Sequence, residues 1–95
     1  MNRLPVDIGS IVISKAGRDQ GRRFLVVGEV DDDFVMVANG ALRKMDRQKK
    51  KRRKHLKPTG RVVTELRDRL SQAKPVEDHE LRTWLSEEEE KLVQV

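Results

Sequence analysis

The strongest strand pattern in the chain, residues 23–30, is short and lies between two segments rich in turn-forming residues. Phe24 and Val26 alternate with Leu25, so a strand here would carry apolar side chains on both of its faces. Gly28 inside the run predicts a bulge or a tight bend. Strands this short with tight connections favour a small closed or nearly closed β-barrel, because closure removes exposed strand edges.

Other segments in the first two thirds of the chain also have strand character. Residues 11–14 are a β-branched run, and residues 34–38 follow a predicted hairpin turn at residues 31–33. A further turn is expected at residues 39–40. Residues 55–60 have the pattern of a last strand followed by a break.

Helical spacing replaces strand alternation after residue 60. The first apolar series predicts a short amphipathic helix that Pro75 should end, and it consists of Val63, Leu66, Leu70 and Ala73. The second predicts a helix with Asp78 as its N-cap, and it consists of Leu81, Trp84, Leu85 and Leu92. A capping-box pattern at residues 86–89 would allow this helix to break or restart at Ser86.

The predicted fold class is mainly β with a C-terminal α-helical part. We expect residues 1–60 to form a five-stranded barrel that includes a basic loop, residues 43–54, between its last strands. Residues 61–95 are expected to form a helical extension with one or two short helices.

Charge is distributed unevenly along the chain, whose net charge is +5. Residues 42–57 carry 10 basic and 1 acidic side chains, whereas residues 77–95 carry 2 basic and 7 acidic ones. A concentrated positive block of this kind is suited to a polyanionic partner. Only 3% of the residues are aromatic, so recognition of a nucleic-acid backbone or shape is favoured over stacking on splayed bases.

A polar loop with two glycines, residues 17–21, joins the first predicted strand to the second. Gly17 and Gly21 allow left-handed backbone angles and the close approach of another chain. Four cations would then project around the turn: Lys15, Arg18, Arg22 and Arg23. On spacing alone, an ordinary hairpin loop explains the pattern equally well.

This succession of strand, basic glycine loop and strand, over roughly residues 8–38, resembles the KOW family. Gly21 matches the glycine that characterises the KOW motif. Many KOW sequences have a further glycine where this chain has Phe24, and in this departure the chain resembles the family's ribosomal branch. The continuation from residue 37 through the lysine–arginine run is similar to bacterial RNA-binding relatives of eukaryotic-type large-subunit ribosomal proteins. The resemblance implies an SH3-like barrel whose strand loops, here with Gly21, contact RNA.

The basic block is the second predicted RNA contact. Adjacent cations repel one another, and ordering them becomes favourable when phosphates neutralise them and counterions are released. The predicted phosphate contacts are Arg43, Lys44, Arg47, Lys49, Lys50, Lys51, Arg52, Arg53 and Lys54. His55 beside them would stack on RNA or hydrogen-bond to it, or be an inert strand residue. With almost no apolar residues, the block is expected to be mobile without RNA, and a solvated loop or a nuclear import signal are the alternatives.

Other classes of function have little support in the sequence. It contains no cysteine, its two histidines are far apart, and no catalytic pair, metal-ligand constellation or nucleotide-binding glycine loop is visible. We therefore expect a non-enzymatic protein without a cofactor, a metal ion or a small-molecule substrate. No stretch is apolar enough for a membrane helix, which makes the cytoplasm the expected location.

The expected function is RNA binding, to structured ribosomal RNA or on a ribosomal particle. The alternative is a protein-interaction module that docks on the transcription or translation machinery. In either case the acidic C-terminal helix is a candidate contact for a protein partner. Trp84 is expected to pack within the protein rather than to stack on a base.

Overall fold

Five strands followed by two helices form the fold in the computed structural model, which describes residues 6–93 and, within the last helix, side chains as far as residue 88. The strands are β1 (Ser10–Ser14), β2 (Arg23–Glu29), β3 (Phe34–Ala38), β4 (Lys49–Arg52) and β5 (Leu56–Val62), and the helices are α1 (Thr64–Ser71) and α2 (Asp78–Val93). Two short 3-10 turns, Met45–Arg47 and Arg53–His55, lie before and after β4.

The five strands form one antiparallel sheet in the order β4-β3-β2-β1-β5. Two strands separate β4 from β1 in this order, yet Nζ of Lys51 on β4 lies 3.4 Å from Oγ of Ser14 on β1. The sheet is therefore strongly curled, and these two side chains meet across its concave side. The predicted class, a small β-barrel followed by helices, is confirmed.

Two hydrophobic clusters occupy the two faces of the curled sheet. The inner cluster is buried inside the barrel and consists of Val12, Phe24, Val26, Val35, Val37 and Leu56. The outer cluster joins strand residues to both helices and includes Ile11, Leu25, Val27, Leu66 of α1, and Leu81 and Leu85 of α2. The predicted alternation along β2 is confirmed, because Phe24 and Val26 face the inner cluster and Leu25 faces the outer one.

The helices cover the outer face of the sheet, so residues from both sides of the predicted boundary at residue 60 share one cluster. The division into two domains stays a prediction. Trp84 is partly buried against the outer cluster, in agreement with a packing role. Within residues 6–93, neither helix has the length and apolar character needed to cross a membrane.

The turns between the first three strands follow the sequence-based predictions. Oδ1 of Asp31 accepts hydrogen bonds from the backbone N–H groups of Asp33 and Phe34, both at 2.8 Å, and so holds the β2–β3 turn. The β2–β3 register shifts next to Gly28, which confirms the predicted bulge. Strand β3 has the predicted bounds.

The expected basic loop over residues 43–54 is wrong where it includes β4, and the expected mobility of this segment stays a prediction. Lys49–Arg52 pairs with β3 along its whole length, with Arg52 opposite Phe34 and Lys49 opposite Val37. Backbone pairing does not need apolar side chains, and an edge strand lets cations reach water. The apolar pattern therefore could not reveal this strand.

The helix ends also differ from the predictions. Helix α1 ends at Ser71, before Pro75, because Ala73 takes a left-handed φ of 55° and the N–H of Lys74 donates to the carbonyl of Arg69 at 2.8 Å, a Schellman-type ending.

Helix α2 runs through Ser86 without a break. At its start Glu80 Oε1 accepts from the N–H of Glu77 at 3.1 Å, whereas Asp78 accepts from the N–H of Met45 at 2.8 Å and does not act as the predicted N-cap. The side chain of Leu92 lies outside the described residues.

Candidate nucleic-acid interface

The glycine loop between β1 and β2 has a closed and well-defined backbone. The N–H of Gly21 donates to the carbonyl of Ser14 at 2.8 Å, and the N–H of Ser14 donates to the carbonyl of Arg22 at 2.9 Å. Gly17 and Gly21 have φ angles of 77° and 87°, as predicted. A Cβ at either position would meet no atom within 4 Å, so glycine is needed there for its backbone angle and not for space.

Asp19 connects this loop to the basic block. Its side chain is only 2% exposed, and Oδ2 lies 3.2 Å from Nη2 of Arg43 and 3.3 Å from Nζ of Lys51. Burial alone would raise the pKa of Asp19, but hydrogen bonds from Lys51 and Arg43 and the charges of both cations outweigh it, so the pKa lies below its usual value of 3.8. One carboxylate thus brings together two segments that the sequence predicted separately as RNA contacts.

The predicted contact residues fall into two groups by exposure. Nine cations have exposed side chains: Lys15, Arg18, Arg22, Lys44, Arg47, Lys49, Lys50, Arg52 and Lys54. Gly21 is also exposed, whereas Arg23, Arg43, Lys51, Arg53 and His55 are partly buried. Three of the exposed cations lie in or beside the glycine loop, and the other six follow the chain from the β3–β4 connection into the turn after β4.

Arg53 is a third cation of the block, after Arg43 and Lys51, that makes contacts within the fold. Its guanidinium donates to the carbonyl of Val6 at 2.8 Å and to the carbonyl of Asp31 at 3.2 and 3.3 Å, and it lies 3.6 Å from the carboxylate of Glu29. The N–H of Arg53 also donates to the carbonyl of Asp33 at 2.8 Å. These contacts fix the β2–β3 turn against the turn that follows β4.

The cations of strand β4 point to its two opposite faces. Lys50 and Arg52 lie over the ring of Phe34, at 4.5 and 4.9 Å from its centroid, while Lys51 points to the concave side toward Asp19. Cation–π contact and the aliphatic stems cover the ring and leave the charged ends in water. The strand therefore presents its exposed charges at fixed positions before any ligand binds.

Helix α2 contributes a cation that the sequence did not single out. Arg82 donates to the carbonyl of Gly40 and, with Arg22 and Arg23, lines a hollow of about 390 Å³ beside Gly21. No pattern in the sequence marks Arg82, because it is one of many charged residues on a helix. Asp19 had a weak signal, since it is the one acidic residue among the cations of the glycine loop.

The arrangement is suited to binding anions. Exposed Lys and Arg side chains supply charge and hydrogen-bond donors, and Arg can bind phosphate oxygens in pairs. Among the residues whose side chains are described, no three His, Cys, Asp or Glu residues come together as a metal site would need.

Proteins similar to this chain include three archaeal sequences, each named large ribosomal subunit protein eL14. The protein from Desulfurococcus amylolyticus is 34% identical over 58 residues, covering 61% of this chain and 60% of that protein. Those from Pyrobaculum arsenaticum and Staphylothermus marinus are 29% and 28% identical over the same length. No protein-family model matches the chain.

The matched part therefore spans about 60% of the first relative's length. Similarity to large-subunit ribosomal proteins agrees with the ribosomal side of the KOW resemblance. The three named relatives are archaeal, whereas that resemblance was to bacterial proteins. Their names are those of ribosomal components, which is consistent with the expectation of a protein that is not an enzyme.

Proposed function

We propose that this protein binds RNA through a surface made of the glycine loop and the basic block, and that its target is ribosomal RNA on a ribosomal particle. The observation that carries the proposal is the contact of Asp19 with both Arg43 and Lys51. It makes the two basic segments neighbours, so their exposed cations can contact one continuous stretch of phosphates.

The electrostatics of this surface favour a nucleic acid. Nine predicted contact residues are exposed cations, and binding phosphates to them would release condensed counterions. The aromatic side chains offer little for stacking, since Phe34 is covered by Lys50 and Arg52, and Trp84 of α2 is partly buried against the outer cluster. Recognition would thus rely mainly on the RNA backbone and its shape.

The identity of the RNA is proposed from the relatives. Three proteins named large ribosomal subunit protein eL14 match this chain, and the KOW resemblance implies RNA contacts through the same strand loops. The proposal includes a cytoplasmic, non-enzymatic protein that needs no cofactor. The predicted contact residues, His55 and Gly21 among them, are part of it, with Arg43, Lys51 and Arg53 acting mainly to hold the surface in place.

Ultraviolet crosslinking in cells, followed by sequencing of the attached RNA, tests the proposal. Reads concentrated in ribosomal RNA are expected. A variant with glutamine at four exposed positions, Lys49, Lys50, Arg52 and Lys54, should lose most of these reads while remaining folded.

The alternative of a protein-docking module predicts a different result. Cosedimentation with ribosomal subunits that survives nuclease treatment and does not change in the glutamine variant would contradict RNA binding. Crosslinks spread over all cellular RNAs in proportion to abundance would contradict the ribosomal target.

A further inference from the structure

A groove of about 820 Å³ lies between the β2–β3 turn and the turn that joins β4 to β5. Its apolar lining comes from Val6 and from Leu56 and Pro58 at the start of β5. Arg53 clamps the two turns together through the carbonyls of Asp31 and Asp33, so the groove is formed before any ligand arrives.

Charges of both signs line this groove without pairing with each other. Four exposed cations contribute to the lining: Lys15, Arg52, Lys54 and Lys57. Asp32 and Asp33 contribute exposed carboxylates. Among the described residues, neither carboxylate forms an ion pair or a side-chain hydrogen bond. The opposite charges are thus held apart across a space that a ligand can enter.

The two carboxylates are not needed for the turn on which they lie. Asp31 alone supplies the side-chain oxygen that accepts the N–H groups of Asp33 and Phe34. If the groove bound only phosphates, Asp32 and Asp33 would weaken that binding, because carboxylates accept hydrogen bonds and repel phosphate oxygens. They suit a ligand that presents N–H donors together with a negative charge.

We propose that this groove binds one unpaired guanine nucleotide of the RNA, with its phosphate on Lys54 and Lys57 and the N–H groups of its base edge on Asp32 or Asp33. A carboxylate has two acceptor oxygens, and the guanine edge has two adjacent donors, N1–H and N2–H. Unpaired RNA bases are commonly read along this edge. That the ligand is RNA rests on the proposed function. The groove would add a preference for one base to a surface that otherwise contacts the RNA backbone.

The test compares single-stranded oligouridines that carry one central guanosine, inosine or adenosine. Fluorescence anisotropy with the full chain should show guanosine bound about tenfold more tightly than adenosine, the effect of one good bidentate contact. Inosine lacks the N2 amino group and should fall between the two. Equal affinity for all three would overturn the proposal.

The double variant Asp32→Asn, Asp33→Asn separates base reading from simple repulsion. It should bind plain oligouridine more tightly, since two negative charges are gone, yet lose the preference for guanosine. Asp46→Asn removes an exposed carboxylate outside the groove and should keep the preference. A double variant that binds all RNAs more tightly with the preference intact would show that Asp32 and Asp33 do not read the base.

Backbone amide shifts distinguish failure of this inference from failure of RNA binding itself. Oligonucleotides that shift Arg18 and Lys49 but not Asp33 and Lys57 would overturn the groove proposal and leave the RNA-binding surface intact. Absence of any RNA-dependent shift would overturn both. Groove shifts caused by a peptide of mixed charge, but by none of the oligonucleotides, would assign the groove to a protein ligand and overturn the proposal.

Discussion

Nζ of Lys51 lies 3.3 Å from Oδ2 of Asp19. This ion pair joins β4, whose four residues are all cations, to the tip of the glycine loop. Lys51 is 12% exposed and Asp19 2% exposed. A cation in a run of six basic residues therefore serves the fold, and its neighbours in the sequence remain available for a ligand.

Asp19→Asn should lower the free energy of unfolding by about 1–3 kcal/mol at pH 7, because it removes charge-assisted hydrogen bonds from Lys51 and Arg43. The folded-state pKa of Asp19 is lowered, so its contribution is complete above the usual value of 3.8 and is lost as the pH falls through the lowered pKa. Urea unfolding at several pH values should show a constant gap between wild type and variant near neutrality that closes in acid.

The control for this measurement is Asp46→Asn, which removes an exposed carboxylate. It should change stability little at any pH. A gap between wild type and Asp19→Asn that persists undiminished at low pH would contradict the ion-pair explanation.

Exposed and internal cations of the basic block should differ in their effect on the salt dependence of RNA binding. Replacing Lys49, Lys50, Arg52 and Lys54 by glutamine should reduce the slope of log affinity against log salt by about 3 units, at roughly 0.7–0.9 per phosphate contact. Lys51→Gln should reduce it by less than about 1 unit but lower stability. Anisotropy titrations and urea unfolding on the same samples measure both quantities, and a large slope change for Lys51→Gln would show that it contacts phosphate directly.

Substitutions at Gly21 should distinguish the effect of the backbone angle from the effect of side-chain size. Its φ of 87° and the open space around it mean that only the conformational preference of the new residue matters. Gly21→Asn should be tolerated, since Asn accepts left-handed angles, while Gly21→Val should cost about 1–2 kcal/mol or displace the loop. RNA competition assays should show lost preference for the native RNA only with Val, and equal behaviour of both variants would refute the angle argument.

Gly40 and Gly17 form a matched pair, because both have a φ of 77°. A Cβ at Gly40 would overlap the carbonyl oxygen of Asp78 at the start of α2, whereas a Cβ at Gly17 would meet nothing within 4 Å. Gly17→Ala should cost about 1–2 kcal/mol from its backbone angle, and Gly40→Ala about 1–3 kcal/mol more from the steric conflict. Equal losses on thermal unfolding would mean that α2 does not lie against Gly40 in solution.

Amide hydrogen exchange on the free protein should distinguish a paired β4 from a mobile arm. The N–H of Arg53, which donates to the carbonyl of Asp33, and alternate N–H groups of β4 should exchange more slowly than those of Arg18 and Asp32. Fast exchange throughout residues 49–53 would restore the mobile loop that the sequence suggested.

The sequence predicted those parts of the fold in which apolar side chains alternate. Strands β2 and β3, the bulge at Gly28 and the positive φ of Gly21 were all predictable, because each depends on local residue types. Strand β4 was not predictable, since it is held by backbone pairing with β3 and by contacts with residues far away in the sequence.

The same reasoning applies to the interface. The glycine loop and the basic block were each recognised from local composition, but their contact depends on Asp19, Arg43 and Lys51, which are far apart in the sequence. The role of Arg82 depends on how α2 packs across the barrel. Such tertiary relations leave no periodic signal in a single sequence.

The contacts of α2 with the β3–β4 connection have a consequence for the order in which the protein matures. Asp78 accepts the N–H of Met45, and Arg82 donates to the carbonyl of Gly40, so both ends of the chain segment that leads into β4 are held by residues synthesised more than thirty positions later. A nascent chain that has exposed its cationic strand still lacks the helix that holds the connection leading into it. The β3–β4 connection can therefore make these two contacts only after α2 has left the exit tunnel, so it lacks them while the chain is still being translated.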